Sequence, residues 1–154
     1  MKNKIIVAVV AVLVVIILLV FMIFFAASSG KIKPYKDSDG KVLANSIAEK
    51  KIVTLNGAKN GLIIRGKSLD NPVLLLVSSG PGTSDYFLNE AYPDMNLEDF
   101  YTVCWWDYRG MCLVYDKNIK PETITTEQIQ ADTKAVTDYL KERFGKEKIY
   151  IMNL

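Results

Sequence analysis

Residues 5–27 are apolar without interruption, and this run of 23 governs how everything after it is read. As a helix rising 1.5 Å per residue it reaches about 34 Å, enough to cross a hydrocarbon core. Secretory signal peptides carry shorter apolar regions, of about 7–15 residues. The length therefore favours an uncleaved signal anchor. The alternative, a removed signal peptide, would be cut near the small residues Ala26, Ala27, Ser28 and Ser29. Lys2 and Lys4 precede the run and Lys31, Lys33, Lys36 and Lys41 follow it, so flanking charge does not choose an orientation. The short tail 1–4 argues for an inside N-terminus and an extracytoplasmic domain. Residues 28–45, with Gly30, Pro34, Ser38 and Gly40, read as a polar linker. That leaves 46–154 for one small domain.

Mean hydropathy is slightly positive only because it averages this helix with an ordinary soluble composition. Lys and Arg number 19 against 17 Asp and Glu, too small an excess for a nucleic-acid surface, and no basic cluster with interleaved aromatics occurs. Histidine is absent and Cys104 and Cys112 do not make a CxxC pair, so neither a metal nor another cofactor is expected. Cys104 lies in an apolar run, which favours two free thiols over a disulfide.

Residues 46–55 mix apolar and polar side chains and end at Asn56-Gly57, a strong turn signal; Asn60-Gly61 then precedes Leu62, Ile63 and Ile64. Two antiparallel strands are predicted. Val73, Leu74, Leu75, Leu76 and Val77 form a run suited to a strand buried on both faces. Ser78 to Gly82 close it as a loop, and a short helix around Phe87, Leu88 and Ala91 is limited by Pro93. A second apolar strand covers 101–106, turned by Asp107 to Gly110. Thr125 and Gln128 stand as in a capping box ahead of Ile129, Val136, Leu140 and Phe144, and Gly145 closes that helix. Residues 148–154 begin another strand. This order predicts an α/β fold with a mostly parallel sheet and an N-terminal antiparallel hairpin.

Four segments carry a resemblance: Gly61 to Gly66, Asn71 to Leu75, Gly80-Pro81-Gly82, and Trp106-Asp107-Tyr108-Arg109-Gly110. In this order they resemble the N-terminal part of α/β-hydrolases similar to proline iminopeptidases, from about Ser46 onward. The resemblance implies that Gly80 supplies a backbone N–H to an oxyanion hole, where fixed donors stabilise charge developing on a substrate carbonyl. Ser78 and Ser79 replace the His and first Gly of the family's loop. Pro81, Gly82, Trp106, Asp107, Arg109 and Gly110 are then structural residues of the site loops, while Tyr108, Met111, Cys112 and Val114 depart from the family pattern. Asp107 and Arg109 are expected either to pair with each other, to bond the neighbouring loop, or to form a solvated charged turn.

The resemblance also implies a Ser-His-Asp triad whose serine sits on a Gly-His-Ser-x-Gly elbow. Alignment places Asn153 and Leu154 on the first Gly and the His of that elbow, so the sequence stops just short of the nucleophile. No catalytic residue is assigned: Ser78, Ser79 and Ser84 lack a base, and nothing sets Asp85, Glu90 or Asp94 within reach of them. Two expectations follow. One is the N-terminal portion of a membrane-anchored, aminopeptidase-like serine hydrolase, inactive as it stands, whose partners are the membrane, the remaining half of the domain and, once completed, a peptide substrate. The other is a non-catalytic tethered module or degraded gene product that binds through an open sheet edge near residues 149–152.

Overall fold

The computed structural model describes residues 2–27, 30–78, 84–92 and 96–153. The chain divides into two compact units, Met1–Lys31 and Ile32–Leu154. The first is helix α1 (Lys2–Ala27), whose apolar segment Asn3–Phe25 is long enough to cross a membrane and carries exposed side chains from Ile5 to Phe25. Its length and composition suit both a signal anchor and a signal sequence.

The second unit is built on a five-stranded sheet in the order β1-β2-β4-β3-β5. Strands β1 (Ile47–Leu55) and β2 (Ala58–Gly66) form the expected hairpin around Asn56-Gly57. Both turn residues have positive φ, 48° and 71°, the conformation that matches the twist of paired strands and that Asn-Gly adopts at little cost. Strand β3 (Val73–Val77) runs parallel to β4 (Thr102–Asp107) on one side and to β5 (Tyr150–Asn153) on the other.

The sheet is mixed rather than mostly parallel. β2 pairs with β4 in antiparallel register, Gly61 opposite Asp107 and Arg65 opposite Val103. The cause is the short connection between Gly66 and Val73, which reverses the chain, so β3 and β4 run against β2 as β2 runs against β1. Asn60-Gly61 lies inside β2 and makes no turn. The Asn60 side chain folds back to donate to the Ala58 carbonyl (3.0 Å) and accepts from the Trp106 indole (2.9 Å).

The alternation of a pleated strand sends successive side chains to two cores. Leu62, Ile64, Val73, Leu75, Cys104 and Trp106 face α3 (Thr126–Phe144) and meet its Val136 and Leu140. Ile63, Leu74, Leu76, Val103 and Trp105 form the opposite cluster with Tyr86, Leu97 and Tyr101 against it. Burying one such aliphatic side chain stabilises by about 1.5–3 kcal/mol. Helix α2 (Tyr86–Ala91) supplies Tyr86, whose ring packs edge-on to Trp105 at 5.2 Å. Helix α3 starts as expected, Thr125 Oγ1 accepting from the Gln128 N–H (3.2 Å), and the Gly145 N–H bonds the Glu142 carbonyl at its end. The Gln128 side chain departs from a reciprocal capping box and turns inward to Asp132.

Residues 32–45, read from composition as part of a linker, belong to this second unit. Ile32 packs on the Trp105 cluster, and the Tyr35 ring lies 4.8 Å from the Arg65 guanidinium while its hydroxyl donates to Glu98 (3.0 Å). Lys36 and Val42 pair across a small hairpin, and the Asn45 amide bonds Ser68 (3.0 Å) and Asp70 (2.8 Å). A polar segment is a strap here because its few large residues, Ile32 and Tyr35, find partners.

Candidate active-site loops

Of the candidate residues, Trp106, Asp107, Arg109 and Gly110 sit at the end of β4 and just after it. Gly80, Pro81 and Gly82 lie outside the described residues. Ser78, just ahead of them, is described, and its carbonyl accepts from the Tyr108 hydroxyl at 2.7 Å. Tyr108 thus ties the Asp107-Arg109 segment to the end of β3, and its ring packs 5.0 Å from that of Trp106.

Trp106 and Asp107 close β4 with both side chains buried. Asp107 Oδ2 accepts from the Leu113 N–H at 3.1 Å and so closes the loop that follows. Gly61 opposite makes this closure possible: a Cβ there would stand 2.9 Å from Leu113 Cβ and 3.3 Å from Asp107 Cβ. The loop lies on β2 because β2 offers bare backbone at that point.

Asp107 and Arg109 are not partners of each other, and the turn is not a solvated one. Arg109, 7 % exposed, reaches α3: its Nε donates to Asp132 Oδ2 (2.6 Å) and its Nη2 to Asp132 Oδ1 (2.8 Å), with a longer contact to the Asn56 carbonyl (3.4 Å). Asp132 is wholly buried and also accepts from the Asn56 amide (3.0 Å) and the Gln128 amide (2.9 Å). Burial acts to raise the Asp132 carboxyl, but the hydrogen bonds of Arg109, Asn56 and Gln128 outweigh it and hold the group below its ordinary value. The β1–β2 turn, the Trp106 to Gly110 segment and α3 are joined at this one carboxylate. The sequence reading did not name Asp132, Asn56 or Gln128. The available signal was an acidic residue on the helix face that carries Ile129, Val136 and Leu140, where an unpaired charge is not tolerated.

Beyond Gly110 (φ 75°) the chain passes through Cys112 at φ 37°, a left-handed conformation that glycine favours. Cys112 is exposed, yet partial desolvation of its sulfur and the charge of Asp107 push the thiol up, with a smaller opposing effect from the Ser84 backbone. Cys104 is a buried free thiol pushed strongly upward by burial, so both cysteines are free. Among the described residues no group of His, Cys, Asp and Glu is arranged to hold a metal. An open depression of about 470 Å³ lies over Asp107, Cys112, Leu113, Ser84 and Phe87. The described residues around it shape and rigidify the loops, and none of them forms a nucleophile–base pair.

No family model matches the sequence. Over 106 residues, 69 % of this chain, it is 37 % identical to the probable aminopeptidase YbaC of Bacillus subtilis (strain 168). This chain carries a partial α/β-hydrolase homology. It spans about a third of the length of that relative. A proline iminopeptidase-related protein from Thermus thermophilus superimposes on 70 % of the chain and 36 % of its own, with a TM-score of 0.56 at 23 % identity. Epoxide hydrolase A from Mycobacterium thermoresistibile matches 70 % of the chain and 31 % of its own, with a TM-score of 0.52 at 20 % identity. At those identities the two structures show a shared fold and nothing of substrate.

Proposed function

We propose that residues 32–154 are the N-terminal sheet portion of a membrane-anchored serine hydrolase of the proline iminopeptidase-like, aminopeptidase type. The observation that carries this reading is the 37 % identity over 106 residues to the probable aminopeptidase. Helix α1 acts as an uncleaved anchor with its N-terminus inside, leaving the domain extracytoplasmic. Gly80 provides an oxyanion donor, and Trp106, Asp107, Arg109 and Gly110 hold the adjoining loop. The nucleophile, the histidine and the acid come from the two thirds of the fold that these residues do not cover. Without a histidine the 154-residue chain does not run triad hydrolysis by itself.

The test is an aminopeptidase assay with prolyl and other aminoacyl coumarin amides. It compares the 154-residue chain with the product of the same reading frame extended across the codon after Leu154. The chain alone is expected to be silent. The extended product is expected to cleave these amides and to be silenced by a serine-directed phosphonate. Hydrolysis by the 154 residues alone would defeat the account of inactivity, and an extended product that spares all aminoacyl amides would defeat the aminopeptidase assignment.

A second reading rests on β5. Its neighbour among the described strands is β3, and Tyr150 and Ile151 are about half exposed. A non-catalytic tethered module would use that edge to add a strand from a partner.

A further inference from the structure

The pleat of β2 carries Ile63 and Arg65 to the same face of the sheet, so an arginine stands at the margin of the Trp105 cluster, opposite Val103 in register. A charge set there costs desolvation unless it is partnered. The domain partners it incompletely. The Arg65 side chain is only 13 % exposed, yet its one hydrogen bond among the described residues runs from Nη1 to the Tyr86 hydroxyl (3.2 Å). Glu90 and Glu98 each stand 3.7 Å from Nη1, beyond hydrogen-bond reach. The Tyr35 ring, 4.8 Å from the guanidinium, offers its face and no acceptor. Nε is buried without an acceptor, and no described residue accepts from Nη2.

Arg65 lines an open cavity of about 360 Å³, a size suited to small-molecule ligands. Lys67 and Asp99, also in its wall, neutralise each other in an ion pair of 2.5 Å. Four charges are left, two of each sign. Lys33 lines the cavity beside Arg65, is exposed, and has no ion-pair partner among the described residues. Glu98 Oε1 accepts from the Tyr35 hydroxyl (3.0 Å) and the Asn89 amide (2.9 Å), and Glu90 Oε1 accepts from the Tyr86 hydroxyl (2.6 Å). The second oxygen of each carboxylate has no donor among the described residues. A purely anionic ligand would face Glu90 and Glu98, and a purely cationic one would face Arg65 and Lys33. A ligand that carries both charges finds a partner for each. No aliphatic side chain is among the described residues of the wall, so an apolar substituent would gain nothing there.

We propose that this cavity binds a free α-amino acid with a small or polar side chain, its carboxylate on Arg65 and Lys33 and its ammonium on Glu90 and Glu98. Of the described lining residues, Glu90 alone also borders the depression over Asp107 and Cys112, so a bound amino acid would touch helix α2 beside the candidate loops. The inference does not rest on the aminopeptidase reading.

The test is equilibrium dialysis of the detergent-solubilised full chain against radiolabelled L-serine. Saturable one-to-one binding is expected, with half-saturation at about 1 mM or below. Four competitors are then compared with unlabelled L-serine: serine amide, which lacks the carboxylate, N-acetylserine, which lacks the ammonium, L-leucine, and inorganic phosphate. Each is expected to compete at least about tenfold more weakly. Lys33→Ala and Glu90→Gln, both at exposed positions, are expected to weaken serine binding by about tenfold while leaving the urea unfolding transition in place. The competition series uses the unaltered chain, so it decides the class of ligand whatever the variants do. Absence of saturable binding overturns the inference. So does any of the four competitors matching L-serine, or a folded Lys33→Ala or Glu90→Gln chain that binds serine as the native chain does.

Discussion

Arg109 and Asp132, on different elements and with both side chains buried, meet in a two-point contact of 2.6 and 2.8 Å that ties the loop after β4 to the helix below it. Such a pair costs desolvation on both sides, and its net worth against an apolar replacement is small. Removing one member is a different matter. Arg109→Ala or Asp132→Ala leaves a buried charge without its partner and is expected to destabilise by about 3–5 kcal/mol. The double replacement Arg109→Met with Asp132→Leu is expected to cost clearly less than the two single losses added together. Urea unfolding of the detergent-solubilised chain measures all three, and single losses below about 1 kcal/mol would contradict the role given to the pair.

The same carboxylate sets a pH dependence. Asp132 is held below its ordinary value of 3.8 when folded, so the unfolded chain binds its proton more readily. Its contribution is present in full above the unfolded value and is lost as pH falls through the lower folded value. The stability gap between the native chain and Asp132→Asn should therefore be level above about pH 5 and shrink as pH falls below about 4. A gap that widens on acidification would show that the group is not depressed.

Cys112 sits at φ 37°, where an L side chain costs about 1–2 kcal/mol, while glycine gives back about 0.5–1 kcal/mol in lost unfolded-state freedom. The strain is the larger quantity. Cys112→Gly is expected to stabilise by about 0.5–1 kcal/mol, read as a rise in Tm, and a fall in Tm would mean that the thiol makes packing contacts outweighing its backbone.

Gly61 has no room for a side chain because Leu113 Cβ would be 2.9 Å away. Gly61→Ala is expected to cost about 1–3 kcal/mol through overpacking. Leu113→Ala in the same chain should recover part of that loss. An unaltered Tm for Gly61→Ala would show that the loop over β2 yields freely.

Much of this architecture can be read along the chain because its causes are local. Asn56-Gly57 requires the positive φ angles that make a hairpin, Thr125 and Gly145 bracket α3, and the run from Val73 to Val77 suits a strand covered on both faces. The family resemblance was legible for a similar reason, since its loops are short contiguous strings. What escaped is non-local. Arg109 and Asp132 stand 23 residues apart in sequence, and only the packing of α3 on the sheet brings them together. A run of strand-forming residues likewise does not say that β2 lies beside β4, so the mixed sheet was missed. Asn60-Gly61 has the composition of a turn but serves as a strand, because Trp106 supplies the polar partner and Leu113 fills the missing side chain's place.

The Asn56-Gly57 turn also gives the domain a chemical clock. An asparagine followed by glycine is the pair in which a backbone nitrogen attacks the side-chain amide most readily, and asparagine is among the thermolabile residues for that reason. Here the amide at risk is one of the donors to Asp132, and it also bonds the Ala131 carbonyl. Loss of ammonia leaves a cyclic imide, which water opens to aspartate or isoaspartate, and either product replaces that donor with a carboxylate near the buried Asp132, setting like charges together. Ageing at this single turn would thus loosen the joint between hairpin, loop and helix without cutting the chain or altering any residue in the core.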